Sequence, residues 1–381
     1  MSYNRTLSHK FDNIIVPSVH MAKSRAISYQ QSSSFMTYRE ATQIIHGHIM
    51  LQEQYRDVQM TEDVRNACKL LLKDHVYFLF WPVIKWKQNS CYFSTLMVAM
   101  FLQPCETITN KILLCDDTSK TDDGAQSRQK LTDEINDLVL KMRIFHPPAN
   151  NINKIRHAFQ QTNIGRNLNL TGTESPTEVL LPLIKLYGME EYIKVVITSY
   201  KNNNFNKYDF RREQLLATNP HILIETSDIE EYMYANNHTT VIDVSRAGNL
   251  THTTEAITTE NGRQIQTTAI TETTYLNTKI KFMVLELKHK STIEHDRSTD
   301  FNFVNLTFIA SPRLALFPHL TLTTVICILS GHYTCIYFNR DDRNWYNFND
   351  ISNEGRPTLI DENAKDKKIR EQGYLFFYQE N

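Results

Sequence analysis

Three places in this 381-residue chain carry the side chains that nucleophilic catalysis needs: Cys91, His332 and the Asn349-Asp350 pair. A thiol attacks as its thiolate, so it needs a base within hydrogen-bond reach, and the base needs a third group to orient it; such partners usually stand far apart in sequence. Cys91 sits in Asn89-Ser90-Cys91-Tyr92, a polar corner that opens into the run 93–102. That run is apolar nearly all round, which predicts a buried helix stopped near Pro104. A thiol in the first turn of a helix meets unpaired N–H groups and the positive end of the dipole, both of which favour the thiolate. Read by itself, Cys91 is better explained as a core thiol, because free cysteine is among the most buried residue types.

The far end of the chain supplies the other two groups. His332 follows a glycine turn, Ser330-Gly331, between two β-branched runs, where its backbone is fixed and its ring can face a cleft. Alone it reads as a core or rim histidine. Asn349 and Asp350 end the next apolar-aromatic run, Trp345-Tyr346-Asn347-Phe348, and either side chain can accept a hydrogen bond from an imidazole.

The elements that must position these groups divide by character. Helical spacing predicts helices over 62–73, over the stripe Leu131, Ile135, Leu138, Val139 and Met142, and over 152–161 and 176–186. The last opens with cap candidates and a proline in its first turn, Ser175-Pro176-Thr177-Glu178. A strand is expected at 76–81. Beyond Tyr187 the chain reads mostly as strands, at 192–200, 221–225, 239–244, 279–287, 302–309, 320–329, 333–338, 345–348 and 374–378. Asn261-Gly262, between threonine-rich flanks, predicts a hairpin that projects into solvent as two strands. Residues 1–80 are expected to be a partly ordered N-terminal extension and 81–381 the working domain.

Composition narrows the function classes. The chain is 41% hydrophobic, enough for a substantial core, and a formal net charge of -1 leaves no general electrostatic footprint for nucleic acid. Six cysteines without a C-x-x-C pair suggest neither a disulfide framework nor a zinc knuckle. His46-Gly47-His48 lacks a third ligand at suitable spacing and reads as surface histidines, and the acidic stretch 115–124 lacks the pattern of a calcium loop. No G-x-G-x-x-G or phosphate-loop motif occurs. No apolar run reaches the roughly 20 residues of a membrane span, and the first ten residues have no apolar signal core. A cytoplasmic or nuclear protein that uses no cofactor and no membrane is the expectation.

Taken together, the motifs resemble those of the ubiquitin-specific protease family of cysteine deubiquitinases. Asn89-Ser90-Cys91-Tyr92 is similar to that family's Asn-x-Cys-Tyr box, Gly331-His332-Tyr333 to its Gly-His-Tyr box, and Trp345 through Asp350 to its Trp-Tyr-x-Phe-[Asp/Asn]-Asp segment. Ser175-Pro176-Thr177-Glu178-Val179-Leu180 resembles a helix start of the family, and Gly373 through Tyr378 its closing strand. The five stand in the family's order. The resemblance implies an α+β, papain-like fold of ubiquitin-specific-protease type, with a helical thumb, a strand-rich palm and hairpin fingers. It implies Cys91 as nucleophile, His332 as base, Asn349 as orienter and Asp350 as an assisting neighbour. Asn89, Gln88 and Trp86 become the oxyanion candidates, and Ser175, Glu178 and Tyr333 the contacts to a ubiquitin tail. The activity implied is hydrolysis after the C-terminal glycine of ubiquitin, without a metal, on ubiquitin or ubiquitin-conjugated proteins.

Several positions depart from the family pattern. Trp86 stands where an asparagine oxyanion donor is common, Ser175 where an aspartate is, and Ser94 and Val98 replace polar residues on the nucleophile helix. A weakly active or inactive ubiquitin-binding scaffold on the same fold, or a papain-like protease for another protein, are the alternatives.

Overall fold

The computed structural model describes residues 36–55, 58–73, 84–116, 124–145, 152–170, 172, 175–189, 192–202, 207–218, 221–224, 240–243, 250–260, 263–275, 281–287, 306–309, 319–329 and 331–380. The strand expected at 76–81, Ser330 and the Asn261-Gly262 turn lie outside them.

Helix α1, Tyr38–Gln54, begins at a reciprocal cap: the Glu40 N–H donates to the Thr37 hydroxyl, and the Thr37 N–H donates to the Glu40 carboxylate. Helix α2, Glu62–Lys73, forms as the periodicity predicts, with Val64, Cys68, Leu71 and Leu72 buried along one stripe. Helix α3 is Cys91–Phe101, and all eleven of its residues are buried. Its C-terminal end is closed by Arg143, whose buried guanidinium donates to the carbonyls of Phe101, Leu102 and Gln103 at 2.8, 3.1 and 3.0 Å. A cation there meets both the orphan carbonyls and the negative end of the helix dipole. Helices α4 (Ala125–Leu140), α5 (Ile152–Gln160) and α6 (Pro176–Leu186) bring Leu131, Ile135, Phe159, Val179 and Leu183 into the same core cluster as Leu96 and Val98 of α3 and Ile45 of α1.

One histidine departs from expectation. His48 is buried (5% exposed) and hydrogen-bonded to Gln52, because the α1 face that carries Ala41, Ile45 and Ile49 takes it into the interior. Burial holds its imidazole below the ordinary range.

The second half consists of strands β1 (Tyr192–Asn202), β2 (Lys207–Thr218), β3 (His221–Ile224), β4 (Thr240–Asp243), β5 (Leu250–Glu260), β6 (Arg263–Tyr275), β7 (Phe282–Leu287), β8 (Leu306–Ile309), β9 (Leu320–Leu329), β10 (His332–Asn339), β11 (Asn344–Phe348), β12 (Thr358–Leu359) and β13 (Gly373–Glu380), with helix α7, Glu362–Gln372, before the last. Seven of them form a sheet in the order β12-β11-β10-β9-β13-β7-β3, antiparallel except for β3 beside β7. A four-stranded antiparallel sheet has the order β2-β1-β6-β5, and β4 pairs with β8 in parallel.

The threonine-rich strands do pair as a hairpin, closing at Glu260 opposite Arg263. They are not a free two-stranded projection, however, because β6 also pairs with β1 from Thr267 to Tyr275. A lone hairpin is marginal in water, and two further strands satisfy one of its open edges.

The seven-stranded sheet is covered on both faces. Cys335 and Tyr337 of β10, Ile326 of β9 and Phe377 of β13 join the core cluster with α3, which packs on β9 and β10. The alternate residues Ile336, Val325 and Phe376 are buried outside that cluster, and α7 packs over β9 and β13 with Ile369 as its buried residue. Burial on both sides accounts for the near-continuous apolar reading of β9 and β13. No described helix is long and apolar enough to cross a membrane.

Candidate functional site

The chain reaches Cys91 through a tight turn. Gly355, at φ +75°, packs so closely on Ile84 that a Cβ there would lie 2.2 Å from the Ile84 carbonyl oxygen, and the Trp86 N–H donates to the Asp350 carbonyl at 2.9 Å. These contacts dock the segment before Cys91 beside the end of β11. Gln88 and Asn89 then adopt left-handed backbone, φ 49° and 55°, before the chain enters α3. Ser90 occupies the N-cap position yet makes no side-chain cap bond to its own helix. Its hydroxyl instead accepts from the Lys87 N–H at 2.9 Å and lies 3.4 Å from Asp350 Oδ2, to which it donates. Cys91 itself is 8% exposed, at the helix end where N–H groups have no partner within the helix.

His332 begins β10 directly after Gly331, whose φ of +77° suits glycine. The β10 to β11 register pairs Cys335 with Phe348, so Asn349 emerges one residue past the paired strand beside His332. Nε2 of His332 lies 2.9 Å from Asn349 Oδ1. The same oxygen accepts from the Ile351 backbone N–H at 3.1 Å, a group that can only donate, so the asparagine presents its oxygen and not its amine to the ring. Nε2 therefore carries the hydrogen, and the neutral ring offers Nδ1 as acceptor. The Cys91 thiol interacts with this imidazole and favours its protonated form.

The Cys91 thiol is the main reason His332 sits above the ordinary histidine value. Partial burial opposes it, and the Asn349 bond and the charge of Asp350 reinforce it. Asp350 is 2% exposed; its Oδ1 stands 4.0 Å from His332 Nε2 and has no hydrogen-bond partner among the described residues. Burial pushes its carboxyl up to about 6, against the lowering effects of the Ser94 hydroxyl, His332 and the Ser90 hydroxyl.

The sign of the Asp350 shift gives a prediction. An acid whose folded value is raised costs stability when ionised: nothing below its ordinary 3.8, and the full amount above about 6. That cost is on the order of 3 kcal/mol at most. Asp350→Asn is expected to raise the melting temperature at pH 8 by more than at pH 4. Equal shifts at both pH values would show that the carboxylate is not strained by burial.

The other sequence candidates fall into two groups. Trp86, Gln88 and Asn89 are all exposed on the turn before Cys91, Trp86 at 44%. The Gln88 side-chain oxygen accepts from Asn153 Nδ2 of α5 at 3.3 Å, so that amide is turned to α5. Ser175 and Glu178 cap α6 reciprocally: the Glu178 N–H donates to the Ser175 hydroxyl, and the Ser175 N–H to the Glu178 carboxylate. Tyr333 is buried, its ring 6.2 Å from that of Tyr374, and the Tyr374 hydroxyl contacts Thr177 at 2.9 Å and donates to Glu286 at 2.6 Å. That chain of contacts ties the start of α6 to β10 and β13.

Sequence reasoning named Ser94 only as a departure and passed over Ser90; in the structure the Ser90 hydroxyl donates to the Asp350 carboxylate and the Ser94 hydroxyl donates to that of Ser90 at 3.2 Å. Among the remaining cysteines, burial pushes the Cys68 and Cys335 thiols well above the ordinary range.

No protein-family model matches the chain, and no curated protein does. Among solved structures the chain is similar to the SAGA Ubp8/Sgf11/Sus1/Sgf73 DUB module bound to ubiquitin aldehyde, at 10% identity and a TM-score of 0.48, covering 85% of this chain and 77% of that one. It is similar also to the Ubp8 DUB module bound to monoubiquitin, at 10% identity and a TM-score of 0.47, with 85% and 76% covered.

Proposed function

We propose that the chain is a thiol-dependent deubiquitinase in which Cys91, His332 and Asn349 act as nucleophile, base and orienter. The observation that carries this reading is the Asn349 oxygen, fixed by the Ile351 N–H and bonded to the His332 ring, together with the thiol at the start of α3 that raises that same ring. In the forward step the Cys91 proton passes to His332 Nδ1 and the sulfur attacks the carbonyl carbon of the terminal glycine of ubiquitin. The tetrahedral intermediate collapses as the C–N bond breaks, and the imidazolium returns the proton to the leaving amine. A thioester on Cys91 results. Water, deprotonated by His332, then attacks the thioester and releases the carboxylate and the thiol. Asn349 fixes the tautomer throughout, and Asp350, buried 4.0 Å from Nε2, favours the imidazolium.

Ubiquitin as partner rests on the five ordered motifs. On this reading α3 to α6 form the thumb, the seven-stranded sheet the palm and the four-stranded sheet the fingers. Hydrolysis of ubiquitin carrying a C-terminal fluorogenic amide tests it, with activity above background expected for the wild-type chain.

The raised His332 sets the pH dependence. The imidazolium persists above pH 6.5 and is lost as pH rises through the folded value, so the alkaline limb of kcat/KM lies above 6.5 and the acid limb belongs to the thiol–imidazole pair. A bell with that alkaline limb is expected. A flat rate between about pH 5 and 9 would contradict the pairing.

A second reading, a ubiquitin-binding scaffold with feeble turnover, draws on the exposed Trp86 and on the Gln88 amide turned to Asn153, which leave Asn89 and backbone N–H groups to meet an oxyanion. Tight ubiquitin binding with no turnover, unchanged in Cys91→Ala, would favour it.

A further inference from the structure

The turn that feeds Cys91 is strained at two consecutive residues, and one buried side chain lies against it. Left-handed backbone at Gln88 and Asn89 carries a steric cost that glycine would not bear. Arg156 of α5, 3% exposed, places Nη1 3.3 Å from the Lys87 carbonyl oxygen and 3.0 Å from that of Gln88. The same Nη1 reaches Asn153 Oδ1 at 3.3 Å, and Asn153 in turn donates to the Gln88 side chain. The guanidinium carbon lies 5.8 Å from the centre of the Tyr92 ring, one residue past the thiol. Among the described residues its partners are two carbonyls, an amide and an aromatic face, with no carboxylate.

A buried cation without a carboxylate is expensive; this guanidinium meets the two carbonyls of the strained turn through one nitrogen, Nη1, while Nε and Nη2 have no hydrogen-bond partner among the described residues. The peptide bonds are trans, so drawing the Lys87 and Gln88 carbonyls towards α5 points the N–H groups of Gln88 and Asn89 the opposite way. With Arg143 closing the far end of α3, each end of the nucleophile helix is gripped by a buried arginine.

We propose that Arg156 is a positioning residue that holds the Lys87–Ser90 turn in the shape required beside the Cys91 thiol, a role that rests on the deubiquitinase reading above. It supplies through the backbone the fixed geometry that a side-chain donor at Trp86 does not. Lysine cannot replace it fully, because the ammonium lacks the planar guanidinium that lies over the Tyr92 ring while Nη1 reaches the carbonyls.

The test compares Arg156→Met, Arg156→Lys and the double variant Arg156→Met/Gln88→Gly by kcat and KM on ubiquitin with a C-terminal fluorogenic amide. Amide hydrogen exchange across residues 86–92 is read in parallel. Arg156→Met is expected to lower kcat by about 10- to 100-fold, a fraction of the loss seen when an oxyanion donor is deleted, with KM within about twofold. Exchange in the turn should quicken more than in α6. Gln88→Gly, which takes a positive φ without strain, should recover about tenfold of kcat in the Arg156→Met background. Arg156→Lys should fall between, and it carries the test if the methionine variant does not fold.

Unchanged exchange in the turn, an unchanged kcat, or a loss that glycine does not recover would overturn the proposal. If the wild-type chain does not turn over, the deubiquitinase reading fails on its own. The exchange arm then still decides whether Arg156 holds the turn.

Discussion

Cys91→Ala is expected to abolish hydrolysis of ubiquitin bearing a C-terminal fluorogenic amide while leaving the fold intact. The substitution removes one sulfur from a residue that is 8% exposed at the start of α3, so the stability loss should be small, about 1 kcal/mol. The catalytic loss should be large, because Cys91 is the thiol that raises His332, a ring oriented by the fixed Asn349 amide oxygen. Removal of a triad nucleophile typically costs on the order of 10⁶ in kcat. Residual turnover within about tenfold of wild type would place the nucleophile elsewhere.

His332→Ala is the second large effect, and its signature differs. The ring both takes the thiol proton and stabilises the charge left behind, so its loss should lower kcat by about 10⁴-fold or more. It should also slow alkylation of Cys91 by iodoacetamide near pH 7, because the imidazolium whose value the Cys91 thiol raises is no longer beside the sulfur. Groups that act as one unit are not additive, so the Cys91→Ala/His332→Ala double variant should be no slower than either single one. A Cys91 alkylation rate unchanged by His332→Ala would break the assignment of His332 as the thiol's partner.

What the sequence reveals about the site depends on how local each signal is. Cys91, His332 and Asn349 are legible because their types are rare enough, and their flanking turns clear enough, to be recognised one by one. The structure sets His332 against Asn349 and within reach of the Cys91 thiol's influence. Arg156 is not legible, because a basic residue on an amphipathic helix 65 positions away reads as solvent-facing, and only the packed structure shows its guanidinium against the Lys87 and Gln88 carbonyls. Ser90 and Ser94 are visible only as polar residues at a helix start; the Ser90 hydroxyl is spent on Asp350, a contact across 260 residues, and the Ser94 hydroxyl on Ser90.

The same reasoning separates the elements. α2, α3 and α6 are legible because their apolar stripes or caps are continuous. α7 is not, since its sequence is almost wholly polar and Ile369 is its only buried residue. α1 was masked by its Ser-, Gln- and His-rich surroundings, although the Thr37 to Glu40 capping pair was there to be read. β2 carries Lys207, Asp209, Arg211, Arg212 and Glu213, a charge density that depresses any strand reading, and it forms as the edge of a sheet whose pairing with β1 is non-local. The twin registers of β6, with β5 and β1, are likewise invisible to a hairpin motif that describes only its own two strands.

The measurement that bears most directly on the central claim is reaction with ubiquitin carrying a C-terminal electrophile, followed by mass spectrometry of the adduct. The wild-type chain is expected to gain the mass of one ubiquitin, linked through Cys91, and Cys91→Ala to gain none. A folded wild-type chain that forms no adduct, or one that carries it on another cysteine such as the partly exposed Cys115, would contradict the account.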